Sequence, residues 1–365
     1  MIEFRNVSFH YGGENGTGEG VDNIHLTIQS GEVVVLCGRS GCGKTTVTRL
    51  VNGLAPHFFP GELEGEVWVD DLCVSKAPLS DTSRRVGSVF QNPKSHFFNV
   101  DSTGELVFGC ENFGMERAEI HRRLDKTVED MKLSALLGRN IFELSGGEKQ
   151  QIACGSVYTA GPDVYVLDEP SSNLDKKAIT RLHETLRRIK DEGGTILVSE
   201  HRLYYLLDLA DRFLYLDDGI ITRSFTPGEL CALPDSDLAL LGLRCTDLHT
   251  LEKSPLIGEI PHGAKPALEA VDLGCSRGNH QILDIDRMSI PEHSIVAIIG
   301  DNGCGKSTLT ESLCGVIPAN GSVAFRGTYL TDRERAGRSF LVMQDVNRQL
   351  FSDSVIEEVL LGSSV

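Results

Sequence analysis

The sequence predicts an α/β fold built around a phosphate-binding loop, and it predicts that fold twice. The first observation is Gly38-Arg39-Ser40-Gly41-Cys42-Gly43-Lys44-Thr45, with the P-loop spacing G-x-x-x-x-G-K-[ST]. It lies between the apolar run Val33-Val34-Val35-Leu36-Cys37 and a helical stretch, Thr46 to Asn52. The second is Gly300-Asp301-Asn302-Gly303-Cys304-Gly305-Lys306-Ser307, which follows the apolar run Ile295-Val296-Ala297-Ile298-Ile299. The glycines let the backbone curl so that successive N–H groups face phosphate oxygens. The helix that follows adds the positive end of its dipole. Lys44 is expected to reach the β- and γ-phosphates, and the Thr45 hydroxyl to ligate Mg²⁺.

A chain of 365 residues suits two domains. The formal net charge of −17 argues against a nucleic-acid binder, which carries a basic patch or a high pI. The ten cysteines are scattered, without C-x-x-C pairs or histidines at metal-ligand spacing, which fits free thiols in a reducing cytosol. Met1-Ile2-Glu3-Phe4 lacks the basic and apolar regions of a signal peptide. No apolar run approaches the length that spans a bilayer, so work at a membrane would need a partner to hold the protein there.

Taken in order, Ile2 to Phe9 alternates and reads as a strand, followed by Tyr11 and a Gly-rich loop. Ile24 to Ile28 is a second strand, ending at Ser30-Gly31. The buried strand and P-loop come next, then the β segment Gly65 to Val69 and the short strand Val86 to Gln91. Leu268 to Leu273, Ile282 to Ile290, Gly321 to Phe325 and Phe340 to Gln344 repeat this order around the second P-loop, which reads as a tandem duplication. The first half continues with a helix at Arg117 to Leu137, apolar at Ile120, Leu124, Val128 and Met131. Leu144-Ser145-Gly146-Gly147-Glu148 opens another helix, with Ser145 and Glu148 spaced as a capping box. A buried strand, Val164 to Leu167, ends in Asp168-Glu169-Pro170. The amphipathic helix Lys176 to Glu192 leads to the strand Thr195 to Ser199, then Glu200-His201 and a closing hairpin at Phe213 to Ile221. From Leu230 to Pro266 the periodicity weakens and prolines interrupt it. The domains expected are therefore 1–230, a linker at 231–266, and 267–365.

Tyr11, the P-loop, Gln91, Leu144 to Glu148, Leu167 to Pro170, Ser171-Ser172-Asn173-Leu174-Asp175 and His201 resemble the ordered motifs of ATP-binding cassette (ABC) ATPases. They correspond to A-loop, Walker A, Q-loop, signature, Walker B, D-loop and switch histidine. The resemblance implies a P-loop NTPase fold of the ABC type: a RecA-like core with an antiparallel β subdomain and a helical subdomain. Here it is duplicated, with the second copy truncated after its Q-loop region. It also implies site residues. ATP would meet Tyr11 (stacking on adenine), Gly38, Ser40, Gly41, Gly43, Lys44, Thr45 and Thr46. In the second half it would meet Gly300, Asn302, Gly303, Gly305, Lys306, Ser307 and Thr308. Mg²⁺ would be held by Thr45, Gln91 and Asp168, and by Ser307 and Gln344. Glu169 would accept a proton from the attacking water, with His201 at the γ-phosphate and Gln91 positioning the water. Ser145, Gly146 and Gly147 would bind the γ-phosphate held by an opposing ATPase domain, placed head to tail.

Gln91-Asn92-Pro93-Lys94-Ser95-His96-Phe97-Phe98 and Val107 to Asn112 resemble the ATPases of energy-coupling factor (ECF) transporters, as does Met343 to Phe351 with Ser354 to Val359. That implies a peripheral subunit on the cytoplasmic face of the cell membrane. Its partners would be a transmembrane coupling protein and a separate membrane protein that binds a vitamin or metal ion. Phe97 and Phe98 would lie near the groove that grips the coupling helices. Two departures bear on this. Arg277 stands where Tyr11 stands in the first half, and the second half carries no signature, Walker B acid, catalytic glutamate or switch histidine. Neither composite site can then be completed within one chain. The expectation is a truncated two-domain ATPase that uses a second ATPase domain in trans or the missing remainder of its second domain. Two other readings stay open: a soluble tandem cassette protein acting on the ribosome, and a nucleotide-binding regulator with impaired turnover. The transported substrate and the oligomeric state are not written in this sequence.

Overall fold

The computed structural model describes residues 1–12, 19–248, 265–277, 280–343 and 349–361. The chain forms two compact units, Met1–Glu252 and Lys253–Val365.

In the first unit β1 (Ile2–Tyr11) and β2 (Gly20–Ile28) pair antiparallel and precede β3 (Val33–Gly38). Then come α1 (Lys44–Val51), the single turn α2 (Leu54–His57), β4 (Gly61–Val69) and β5 (Leu72–Cys73). α3 (Leu79–Arg85) runs into β6 (Val86–Val89). Three helices follow: α4 (Ser102–Asn112), α5 (Arg117–Asp130) and α6 (Gly146–Ala160). β7 (Val164–Asp168), α7 (Lys176–Asp191), β8 (Thr195–Ser199), β9 (Arg212–Asp217) and β10 (Ile220–Phe225) complete the sheets. Two short helices, α8 (Pro227–Cys231) and α9 (Asp235–Leu240), close the unit.

The strands make a four-stranded antiparallel sheet, β2-β1-β4-β5, and a six-stranded sheet, β10-β9-β3-β8-β7-β6. In the larger sheet β9, β3, β8, β7 and β6 are parallel. Its central strands are apolar on both faces, as a sheet covered on both sides requires: every residue of β3 and of β8 is buried. The two faces feed separate cores. Val34 and Leu36 pack toward the antiparallel sheet with Phe4 and Phe9, while Val33 and Val35 pack toward α6 and α7. Each such buried side chain contributes about 1.5–3 kcal/mol. The topology brings the C-terminal ends of β3, β7 and β8 to one edge, beside the start of α1.

The linker expected from residue 231 begins later. Leu230 and Leu238 are buried, and Leu233, Leu241 and Leu243 pack on the same core. Tyr215 donates to the Leu241 carbonyl at 2.9 Å, and Arg39 of the P-loop to the Leu240 carbonyl at 2.7 Å. The apolar periodicity is weak there because helices of five and six residues present only one or two leucines each. The remainder of the expected linker, 249–264, lies outside the described residues.

In the second unit β11 (Pro266–Arg277), β12 (His280–Pro291), β13 (Asn320–Phe325) and β14 (Thr328–Tyr329) form one sheet in the order β12-β11-β13-β14. α10 (Lys306–Leu313), α11 (Asp332–Ala336) and α12 (Val355–Leu360) are its helices. Ala270, Leu273, Leu313 and Val323 are its core. Backbone details repeat between the units. Asn6 takes a left-handed φ of 49° opposite Gly65, whose absent Cβ would sit 2.3 Å from the Asn6 carbonyl oxygen. Asp272, at φ 51°, and Gly321, at 2.2 Å, reproduce the arrangement. A side chain at either glycine would push the strands apart.

Two expected strands are not formed. Residues 295–299 and 340–343 run as irregular chain, with Ile295, Ile299, Phe340 and Val342 exposed. The counterpart strand β3 is held by ladders to β8 and β9, and β6 by a ladder to β7. No such partners occur among the described residues of the second unit. An apolar run becomes a strand only where its backbone groups find a ladder.

Candidate functional site

The P-loop of the first unit leaves β3 at Gly38 and enters α1 through Gly43, whose φ is 101°. Both positions require glycine. A Cβ on Gly38 would lie 2.3 Å from the Leu216 carbonyl oxygen, and one on Gly43 2.9 Å from a Val21 methyl. Lys44 is buried and folds over its own loop, donating to the carbonyls of Gly38 (3.0 Å) and Arg39 (2.8 Å). Its ammonium is thus parked on backbone oxygens where an incoming phosphate can compete for it. Ser40 and Gly41 are exposed at the loop's crest. In the second unit Lys306 makes the same two bonds, to Gly300 (2.9 Å) and Asp301 (2.7 Å), and Gly305 has φ 96°. Asn302 and Gly303 lie in that loop, Ser307 lies in the first turn of α10 and Thr308 is buried beside it.

Thr45 donates to Asp168 Oδ1 at 3.2 Å, joining the first turn of α1 to the end of β7. Ser199, at the end of β8, donates to the same oxygen. Burial pushes the Asp168 carboxyl above its ordinary value, against the opposing pull of these hydroxyls. A hydroxyl and a carboxylate oxygen side by side form a hard-oxygen donor pair that suits Mg²⁺. Among the described residues no three His, Cys, Asp or Glu side chains cluster as a metal cage.

Glu169 follows with a left-handed φ of 43°, uncommon for a residue with a side chain. Its N–H donates to the Ser199 carbonyl and hydroxyl at 3.0 and 3.1 Å, fixing that turn. The carboxylate is gripped from two sides, by Gln91 Nε2 at 2.9 Å and His201 Nε2 at 3.1 Å. The bond from His201 holds Glu169 below the ordinary carboxylate value although burial opposes it. Lys44, Thr45, Asp168, Glu169, Gln91 and His201 are thus brought to one sheet edge. Gln344 lies outside the described residues.

Tyr11, at the end of β1, meets α1: its hydroxyl is 3.2 Å from Thr46 Oγ1. Ser145 caps α6 and closes the box with Glu148, the Ser145 N–H donating to the Glu148 carboxylate at 2.8 Å, as the spacing predicted. Gly146 and Gly147 form the first turn, where backbone N–H groups have no intrahelical acceptor. Asp175 caps α7 through the Ala178 N–H at 2.9 Å. Of the aromatic pair, Phe97 packs on the core, while Phe98 is 75% exposed and stacks on Phe108. Phe98 borders a groove of ≈ 300 Å³ between β6, α4 and α6, lined also by Leu54, Phe90, His96 and Val157. Burial drives the His96 imidazole down to about 4, so it is neutral there.

Sequence reasoning missed Ser199 and Glu200. Glu200 is buried and accepts from the N–H groups of Ser171 (3.3 Å), His201 (2.7 Å) and Arg202 (3.0 Å) and from the Tyr205 hydroxyl (2.8 Å). One carboxylate therefore ties the Ser171–Asp175 loop to the backbone of His201. The available signal was an acid directly after a short strand with an apolar centre, Ile196-Leu197-Val198.

The ABC transporter family model matches residues 21–172 and 283–359. A protein of Treponema denticola named as an ABC transporter ATP-binding protein is 44% identical over 99% of this chain and 74% of its own length. One so named from Sulfurisphaera tokodaii is 33% identical over 93% of this chain and 71% of its own. Among solved structures, cbiO1 of Clostridium perfringens, described as part of the ABC transporter complex cbiONQ, aligns with a TM-score of 0.57 at 23% identity. It covers 66% of this chain and 94% of that one. The cassette MJ0796, in a dimeric post-hydrolysis state bound to ADP and Pi, aligns at 0.55 and 22%, covering 62% and 99%. These likenesses establish the fold.

Proposed function

The chain belongs to the ABC transporter family of ATP-hydrolysing subunits, and we propose that it energises a membrane uptake transporter of the energy-coupling factor type, for a vitamin or a metal ion. The observation that carries the hydrolytic part is Glu169, ionised and held between Gln91 and His201 beside the Thr45–Asp168 pair. In this reading the P-loop N–H groups and Lys44 bind the phosphates, Lys44 exchanging its carbonyl partners for phosphate oxygens. Glu169 accepts the proton of the attacking water. Gln91 orients that water, and His201 fixes the carboxylate and reaches the γ-phosphate. Mg²⁺, held by Thr45 and Asp168, would neutralise charge on the β- and γ-oxygens. The second P-loop binds ATP as well. The signature turn Ser145 to Gly147 serves the γ-phosphate of an opposing cassette, so the active assembly joins this first unit to another.

The transporter part is supported by the groove at Phe98. A mostly apolar cleft with an exposed aromatic at its rim suits a partner helix. Among the described residues no helix is long and apolar enough to cross a membrane. In this reading a transmembrane coupling protein fills that groove and holds the subunit at the cytoplasmic face. The cbiONQ membership of cbiO1 favours the same assembly here. The test is affinity purification of the tagged chain from native membranes. Recovery of two integral membrane proteins, lost on Phe98→Asp, supports the proposal. Recovery of ribosomes instead would overturn it.

A further inference from the structure

Arg49 stands one turn beyond the P-loop on α1, and no ion pair involves it among the described residues. It is half-buried and held by aromatic groups instead. Its guanidinium carbon lies 3.8 Å from the Phe59 ring centroid and 5.8 Å from that of Tyr11, and Nη1 donates to the Tyr11 hydroxyl at 3.0 Å. Tyr11 in turn meets Phe59 edge-on at 6.5 Å and Phe9 at 5.0 Å.

The loop that carries Phe59 is built to stay there. The N–H groups of Phe58 and Phe59 both donate to the Leu54 carbonyl, at 2.7 and 2.8 Å. The Gly12 N–H donates to the Pro60 carbonyl at 3.1 Å. Gly61, paired with Tyr11, lets the backbones close: a Cβ there would sit 2.3 Å from the His10 carbonyl oxygen.

We propose that Arg49 is the positioning residue for the base-binding ring of the first site, holding Tyr11 by its hydroxyl with Phe59 as a second wall. This rests on the reading that Tyr11 stacks on the nucleotide base. The Tyr11 hydroxyl now has two partners, Thr46 Oγ1 and Arg49. When Thr46 turns to a phosphate, Arg49 remains the partner that fixes the plane of the ring. A guanidinium clamped on a phenyl face is a stiff support, and a ring fixed before binding loses less freedom when the base arrives. Lysine can carry the charge but cannot both stack on Phe59 and donate along a fixed direction to the hydroxyl.

The test uses the full chain in a Lys306→Ala background, which removes the second P-loop's grip on phosphate. Calorimetry with Mg²⁺ measures ATP and inorganic tripolyphosphate, the latter carrying phosphates without a base. Arg49→Ala should weaken ATP roughly tenfold and leave tripolyphosphate unchanged. Arg49→Lys should recover less than half of the loss in binding free energy, and Arg49→Ala should add nothing once Tyr11→Ala is present. An equal loss for both ligands, or no loss for ATP, would overturn the proposal. If Tyr11→Ala itself leaves the ratio of ATP to tripolyphosphate affinity unchanged, the stacking reading fails and the proposal with it.

Discussion

Glu169 and Asp168 are neighbours with opposite electrostatics, and each leads to a prediction. His201 and Gln91 stabilise the charged form of Glu169, so its carboxyl is held below the ordinary 4.5. A lowered acid stays ionised at neutral pH and protonates only as pH falls through its folded value, so this group adds no acid limb to the hydrolysis profile above about pH 5. His201→Ala should move that limb upward, toward neutrality. Glu169→Gln should cut turnover by roughly 10²–10⁴-fold with ATP binding retained, read by single-turnover phosphate release. Asp168 is the reverse case. Burial raises its carboxyl, so the ionised form weakens the fold at neutral pH, and that penalty is relieved as pH drops through the folded value. Asp168→Asn keeps an oxygen for Thr45 and Ser199 yet removes the buried charge. It should raise Tm in metal-free buffer while abolishing Mg²⁺-dependent hydrolysis; a lowered Tm would contradict this assignment of strain.

At the scale of elements, Ser145→Ala removes the cap of α6 and should lower unfolding free energy by about 1 kcal/mol in a denaturant titration. Turnover should fall further than that loss explains, because the same turn presents Gly146 and Gly147. The cap was legible because its donors and acceptors lie within four residues of sequence. β3 was legible because a strand buried on both faces reads as an unbroken apolar run, and β8 because Ile196-Leu197-Val198 form its centre. Ile295 to Ile299 reads just as well and yet forms no strand among the described residues, since pairing is non-local and the partners of β3 come from residues 196–199 and 212–216. That Gln91, Glu169 and His201 would meet was readable only from motif order, as Gln91 and Glu169 meet across 78 positions of chain. Glu200 and Arg49 escaped for a related reason. An acid at a strand end and an arginine on a helix look like solvent-facing charges until packing shows what surrounds them.

At the scale of the whole molecule, the two units share a P-loop geometry down to the lysine bonds, but only the first carries the acid–glutamine–histidine cluster among the described residues. The signature turn on α6 is presented by the same unit that holds Glu169, so head-to-tail pairing of two first units is one arrangement that would complete a hydrolytic site, and it is the one we propose. The measurement that tests this most directly is Mg²⁺-dependent ATP hydrolysis by the purified chain as a function of its concentration, with Glu169→Gln in parallel. The account predicts hydrolysis that rises more steeply than linearly with protein and falls by roughly 10²–10⁴-fold in the variant. Hydrolysis that is linear in protein and unchanged by Glu169→Gln would contradict it.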